Sequence, residues 1–263
     1  MLHRTSLLLV VVSVLTSLAL ADEWKKDFTV SAKPAIRVDV NDGDIDVQSA
    51  DVNKVEARVV TSGRKISASD VRVDDRQTGD RIDLEIHQPS HHFCIGICNE
   101  SVRITLVVPR SADLDLHTGD GHIIVDDVKG DLRLNSGDGE LVARSVEGSL
   151  HADSRDGTLR IEGHFDRLDL HTSDGDIHAE IDAPSKMSSS WALHTGDGTI
   201  TLRLPADFSA DLDAHTGDGH VSSEFPITVS GALKETSLRG RINGGGPLLE
   251  VRTGDGNIRV EKR

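Results

Sequence analysis

The residues whose type and spacing could do chemistry are aspartates. Asp120, Asp138, Asp156 and Asp174 each precede a glycine and recur every 18 residues. Further Asp-Gly pairs stand at Asp197, Asp218 and Asp255, and an early one at Asp42. If the units stack, these carboxylates lie about 5 Å apart. Neighbours would then repel by about 0.8 kcal/mol at the dielectric of water, or about 3 kcal/mol at ε ≈ 20. A cation such as calcium would relieve that repulsion, so Asp120, Asp138, Asp156 and Asp174 are candidate metal ligands. The calcium-binding β-roll, however, repeats Gly-Gly-x-Gly-x-Asp every nine residues, whereas this turn comes once in 18. The acidic stretch Asp39–Asp46 also lacks the EF-hand glycine and closing glutamate. Turn chemistry is the preferred reading: Asp accepts local backbone hydrogen bonds and Gly supplies positive φ.

Cysteine and histidine offer two further chemistries. Cys94 and Cys98 lie in His91-His92-Phe93-Cys94-Ile95-Gly96-Ile97-Cys98. Extended, they would stand about 13 Å apart, too far for a disulfide, so a bridge requires a turn, which Gly96 permits. A disulfide is the first expectation in an oxidising compartment, with zinc or free thiols as alternatives. His117, His171, His194 and His215 share a phase before the turn, but Asn135, Asp153 and Arg252 occupy it elsewhere. No continuous imidazole row follows from that order, and solvated turn-flanking side chains are expected.

Enzyme motifs are missing. Ser62-Gly63-Arg64-Lys65 matches S-x-x-K by letters, but neither Lys-Thr-Gly nor Ser-Asp-Asn accompanies it. There is no G-x-S-x-G, P-loop or H-E-x-x-H. Aromatics make up 3% of the chain and tyrosine is absent, so no sugar-stacking platform is visible. The expectation is a non-enzymatic protein with no cofactor, calcium being the one weak alternative.

The elements that position the aspartates follow from the same repeat. In the first frame Leu114, Leu116 and Thr118 alternate with polar residues. Ile123 and Val125 alternate after the turn, and Val128 follows. The second frame repeats this as Leu132, Leu134, Ser136, Leu141, Ala143 and Val146. Period-2 alternation means strands with one buried face. A constant 18-residue phase favours a parallel β-solenoid of one coil per unit, because stacking demands matched lengths. An antiparallel meander closed by Asp-Gly hairpins is the alternative. Residues 22–110 predict irregular β coils and a cap carrying the Cys loop, with strands at 55–60, 82–86 and 102–108. Residues 111–263 predict the regular repeat, continuous with those coils. Residues 183–190 and 231–247 break the phase and are expected as loops or wider coils.

Residues 1–21 read as a signal peptide: Arg4, an apolar run from Leu7 to Leu20, then Ala19-Leu20-Ala21 as a cleavage pattern. Removal changes the net charge from −15 to 28 − 44 = −16. That acidity argues against nucleic-acid binding. No later segment is apolar enough to span a bilayer. A periplasmic, cell-surface or secreted location is expected, with the oligomeric state open.

The stacked Leu-x-Leu-x-Thr-x-Asp-Gly-x-Ile units, following Leu106-Val107-Val108-Pro109, resemble the bacterial putative-adhesin family, a domain of unknown function with β-strand repeats. The resemblance covers about residues 30–260 and is strongest from Val102 to Glu180. It implies a right-handed β-helix-like domain at the cell envelope and brings no catalytic residues. The function expected is an adhesin or envelope interaction module contacting an envelope protein or surface glycan. The alternatives are a structural or envelope-stress module with protein partners and, more remotely, a polysaccharide-active β-helix enzyme.

Overall fold

The computed structural model describes residues 21–31, 33–89, 100–229 and 234–263. Cys94 and Cys98, and all of the signal segment but Ala21, lie outside the described residues. Among those described there are 21 strands and no helix.

The alternation of the repeat becomes strand in every frame. The central strands are β8 (Asp113–Asp120), β9 (Ile123–Asp126), β10 (Lys129–Asp138), β11 (Leu141–Ser154), β12 (Leu159–Asp174) and β13 (Ile177–Ile181). Leu114, Leu132, Leu150 and Leu168 stand in register across neighbouring strands, each of the first three pairing parallel with the residue 18 positions on. The strand before an Asp-Gly turn joins one ladder and the strand after it joins a second. The turn therefore links two ladders and closes no hairpin. We call each such pair of strands a rung.

Six further strands precede this centre: β2 (Ala35–Asp42), β3 (Asp44–Ala50), β4 (Lys54–Ser62), β5 (Arg72–Thr78), β6 (Arg81–His87) and β7 (Ser101–Pro109), with β1 (Ala21–Thr29) before them. β2 and β3 form a regular rung that pairs with β8 and β9 on one side. On the other side they pair with β6 and β7. Ile82, Leu84 and Ile86 thus sit against Ile36, Val38 and Val40, and Ile104 against Ile45. Residues 22–110 accordingly hold two rungs. In the second, no Asp-Gly pair separates the two strands in sequence; residues 88–100, which include both cysteines, come between β6 and β7. β4 and β5 then cap the stack antiparallel to β7 and β6, and β1 lies antiparallel to β4.

At the far end come β14 (Trp191–Asp197), β15 (Ile200–Leu204), β16 (Ala210–Asp218), β17 (Val221–Ser223), β18 (Ile227–Val229), β19 (Ser237–Ile242), β20 (Leu248–Asp255) and β21 (Ile258–Lys262). β14 and β15 continue the stack on β12 and β13. The next rung is not the next in sequence. β20 and β21 pair with β14 and β15, and β16 and β17 stack outside them. β19 pairs antiparallel with β16, and β18 with β19. Two expectations are corrected here. The sheet is mixed and not wholly parallel, because both ends are finished with antiparallel strands. Within 231–247, residues 237–242 form a strand and not a loop, because the open edge of β16 supplies their hydrogen-bond partners.

Inward residues of both ladders form one apolar core. It is thin: each middle rung contributes about six side chains, chiefly Leu, Ile, Val and Ala. The largest buried side chain is Trp191, whose ring lies 5.3 Å from that of Phe208. Its indole nitrogen donates to the Asp166 carbonyl at 3.2 Å.

Candidate functional site

Stacking in register gathers the Asp-Gly turns along one edge of the stack, and three rows of residues build that edge. The innermost is a row of buried hydroxyls: Thr118, Ser136, Ser154, Thr172, Thr195, Thr253 and Thr216. Each donates to the carbonyl of the turn glycine one rung away. Thr118 bonds Gly43 at 2.9 Å, Ser136 bonds Gly121 at 2.9 Å and Thr172 bonds Gly157 at 3.1 Å. Farther along, Thr195 reaches Gly175, Thr253 reaches Gly198 and Thr216 reaches Gly256, at 2.9, 2.9 and 2.8 Å. The Thr/Ser of the motif is therefore explained: a buried carbonyl at the bend needs a donor, and the inward hydroxyl supplies it.

The turn glycines make the second row, and close approach between backbones fixes their identity. A Cβ at Gly139 would stand 1.9 Å from the Gly121 carbonyl oxygen. No side chain fits between turns packed at strand spacing.

Outermost are the carboxylates. Asp42 pairs with Asp120 and Asp120 with Asp138. Asp174 pairs with Asp197, Asp197 with Asp255, and Asp255 with Asp218. Asp156 lies between Asp138 and Asp174, its amide donating to Gly137. All eight are exposed. The four candidates Asp120, Asp138, Asp156 and Asp174 are thus brought to one edge, one per rung. Among the described residues no backbone amide donates to the side-chain carboxylate of any of the four, although Gly43 and Gly121 donate to the main-chain carbonyls of Asp120 and Asp138. At four turns, those of Asp42, Asp120, Asp174 and Asp255, such bonds are made instead by the residue two positions later. Asp44 Oδ1 accepts from the His122 amide at 3.2 Å, His122 Nδ1 from Glu140 at 3.0 Å, Asp176 Oδ1 from Thr199 at 2.7 Å, and Asn257 Oδ1 from His220 at 3.0 Å. The sequence signal was a polar acceptor recurring directly after Asp-Gly.

Charge along the edge is only locally relieved. Arg155 donates from Nη2 to Asp138 Oδ1 at 2.6 Å and lies 3.5 Å from Asp156. At one end of the row, burial and then the neighbouring Asp120 push the Asp42 carboxyl above its usual range. Among the described residues no group of three or more His, Asp or Glu is placed to hold a metal ion. The carboxylates stand in single file, with nothing to converge on one cation.

The histidines divide. His171 and His194 are neighbours on β12 and β14, while Arg252 separates His194 from His215 because β20 stands between β14 and β16. The row is not continuous, as its sequence order implied; chain order already sets His171 beside His194, and it is the rung order that separates His194 from His215. Beside the edge, outward rows alternate in sign. One runs Asp83, Arg37, Asp115, Arg133, His151, Asp169 across neighbouring strands. It forms part of an open groove of about 710 Å³. Of the S-x-x-K letters, Arg64 is nine-tenths buried and donates from Nε to Glu100 at 2.6 Å, which makes it an anchor for the cap.

An apolar core of stacked rungs with a turn edge is the architecture of an all-β repeat domain. The Toastrack DUF4097 family matches residues 29–261, and the chain belongs to that family. A putative adhesin from Bacteroides fragilis NCTC 9343 shares the fold, with a TM-score of 0.53 at 12% identity over 92% of this chain and 97% of that one. A putative cell adhesion protein from Clostridium sporogenes ATCC 15579 aligns at 14% identity over 93% of this chain and 100% of that one, with a TM-score of 0.43. A putative lipid binding protein from Parabacteroides distasonis ATCC 8503 gives 0.40 at 14% identity over 91% and 96%. No curated protein matches the chain.

Proposed function

We propose that this protein is an exported, non-enzymatic module for adhesion or envelope interaction, and that its Asp-Gly edge is the contact surface. One observation carries the reading: eight exposed carboxylates line one edge of the stack, seven of them as register partners of a neighbour. Such a row presents fixed charges at about strand spacing, which suits an extended partner bearing regularly spaced cations or hydroxyls. An envelope protein or a surface glycan meets that description; anionic nucleic acid does not. The fold shared with the Bacteroides fragilis putative adhesin supports the reading, as does the signal-like segment 1–21. We further read the parallel rungs as a right-handed solenoid, the hand that parallel crossovers take in about 98% of cases.

The test is binding of the chain without residues 1–21 to a glycan array and to whole cells, beside a variant carrying Asp138→Asn, Asp156→Asn and Asp174→Asn. Saturable binding lost in the triple variant supports the reading. Binding that the variant retains moves the contact to the charge-alternating faces, and no binding to either target rejects the adhesion reading. Calcium coordination at the same edge predicts a melting midpoint raised by millimolar calcium; a midpoint unmoved by calcium or chelator rejects it.

A further inference from the structure

The rung formed by β20 and β21 is filled by residues later in sequence than both of its neighbours. The chain leaves β15, skips one position, builds β16 to β19 as the outer unit, and then returns to occupy the gap. Everything that ties β16 and β17 to the stack by strand pairing passes through this returning rung. β16 pairs only with β19 and β20, and β17 only with β21, among the described residues. On the inner side Gly198 donates to the Asp255 carbonyl at 2.8 Å and Ile200 to Asn257 at 2.9 Å. On the outer side Gly256 donates to Asp218 and Ile258 to His220, at 2.8 and 2.9 Å. The hydroxyl row crosses the rung in the same way, through Thr253 to Gly198 and from Thr216 to Gly256.

The connection into the rung has the composition of a hinge. It reads Asn243-Gly244-Gly245-Gly246-Pro247, with positive φ of 44°, 93° and 90° at the first three residues. Around Gly244 there is open space for an added Cβ. Straightened, five residues reach about 17 Å, enough to carry the rung out of its own gap.

We propose that the gap between the β14/β15 rung and the β16/β17 rung is an exchangeable docking site, and that its second occupant is the 248–262 rung of another copy of this chain. The exchanged rung makes the same strand pairing, hydroxyl bonds and apolar contacts as the original. The closed monomer and the exchanged dimer then differ in the hinge conformation, in the hydrogen bonds that Asn243, Gly246 and Pro247 make to residues 206–211, and in the cost of association. Hinge length then decides the outcome, because a short hinge cannot fold back and a longer one can. An exchanged dimer would carry two Asp-Gly edges, but the proposal stands whether or not those edges mediate adhesion.

The test uses the chain without residues 1–21, with Cys94→Ser and Cys98→Ser. Two versions are mixed, one with Asp197→Cys and one with Asp255→Cys, in a background lacking Gly244 and Gly245. These positions are register partners in the closed rung. We expect a dimer by light scattering, with a disulfide joining the two versions. A shortened chain that folds as a monomer, or dimerises without that disulfide, overturns the proposal. Should the deletion fail to fold, the same pair with the natural hinge is unfolded together and refolded at high concentration. A disulfide-linked heterodimer then supports exchange, and its absence overturns it. Three added glycines in the hinge are expected to lower the heterodimer yield at least tenfold.

Discussion

The middle of the stack and its outer end are built from one motif but joined differently. From β8 to β13, chain order and rung order coincide, and each unit after β8/β9 stacks on the one before it in sequence. From β14 onward the order in space is β14, β20, β16, so the outer unit depends on residues made after it. The middle shows what periodicity alone specifies: matched lengths, inward Leu and Ile, a hydroxyl for each turn carbonyl. At the outer end the same local rules leave the order of the rungs undetermined, because every rung presents nearly the same edge to its neighbour.

The largest effect expected is at a middle turn. Gly139→Ala places a Cβ against the Gly121 carbonyl, which is backbone and cannot swing away. A loss of about 3 kcal/mol or more by chemical denaturation follows. Gly244→Ala in the outer connection meets no atom but retains an unfavourable positive φ, so about 1 kcal/mol is expected. Equal losses at the two sites would erase the distinction between the packed turn and the open position at Gly244.

The hydroxyl row separates the regions on a finer scale. Ser136→Ala and Thr253→Val each remove one donor to a turn carbonyl and should each cost about 1 kcal/mol. Their hydrogen-exchange patterns should differ. The first speeds exchange only near its own turn, whereas the second also speeds it throughout 205–229, because that unit is held by β20. Exchange confined to residues 248–257 in the second variant would contradict the dependence.

The smallest effect lies at the other end of the acidic row. Burial first, and then Asp120, raise the Asp42 carboxyl above its ordinary value. The folded chain thus holds that proton more tightly than the unfolded one. Its contribution is fully present below the unfolded value of about 3.9 and is lost as pH rises through the higher folded value. Asp42→Asn should therefore stabilise the protein at pH 7, by less than about 1 kcal/mol for so exposed a group, with the gain gone below about pH 4. Destabilisation at pH 7 would mean that Asp42 is held by attraction.

Much of this was legible in the sequence. The 18-residue phase gave the register of Leu114, Leu132, Leu150 and Leu168, and the alternation gave the inward set. The strands at 55–60, 82–86 and 102–108 were visible as well. The rung formed by β6 and β7 was hidden, because no Asp-Gly pair separates the two strands in sequence and the marker is missing. The place of β20 was hidden for a different reason: periodicity reports that units are equivalent and not which unit stands beside which. The role of Asp was half legible. Its position on a turn edge followed from the motif, but the backbone hydrogen bonds belong to Asp44, His122, Asp176 and Asn257, since those side chains lean along the stack toward the next rung.

The rung order can be tested by disulfides within a single chain that lacks Cys94 and Cys98. Adjacent rungs bring Cα atoms to about 4.7–4.9 Å, within the range that a disulfide spans, whereas rungs two apart stand about 9.6 Å away and beyond it. Asp197→Cys with Asp255→Cys should therefore close quantitatively in the monomer, and Asp197→Cys with Asp218→Cys should not. Closure of the second pair and not the first would show that the rungs follow chain order and would contradict the account.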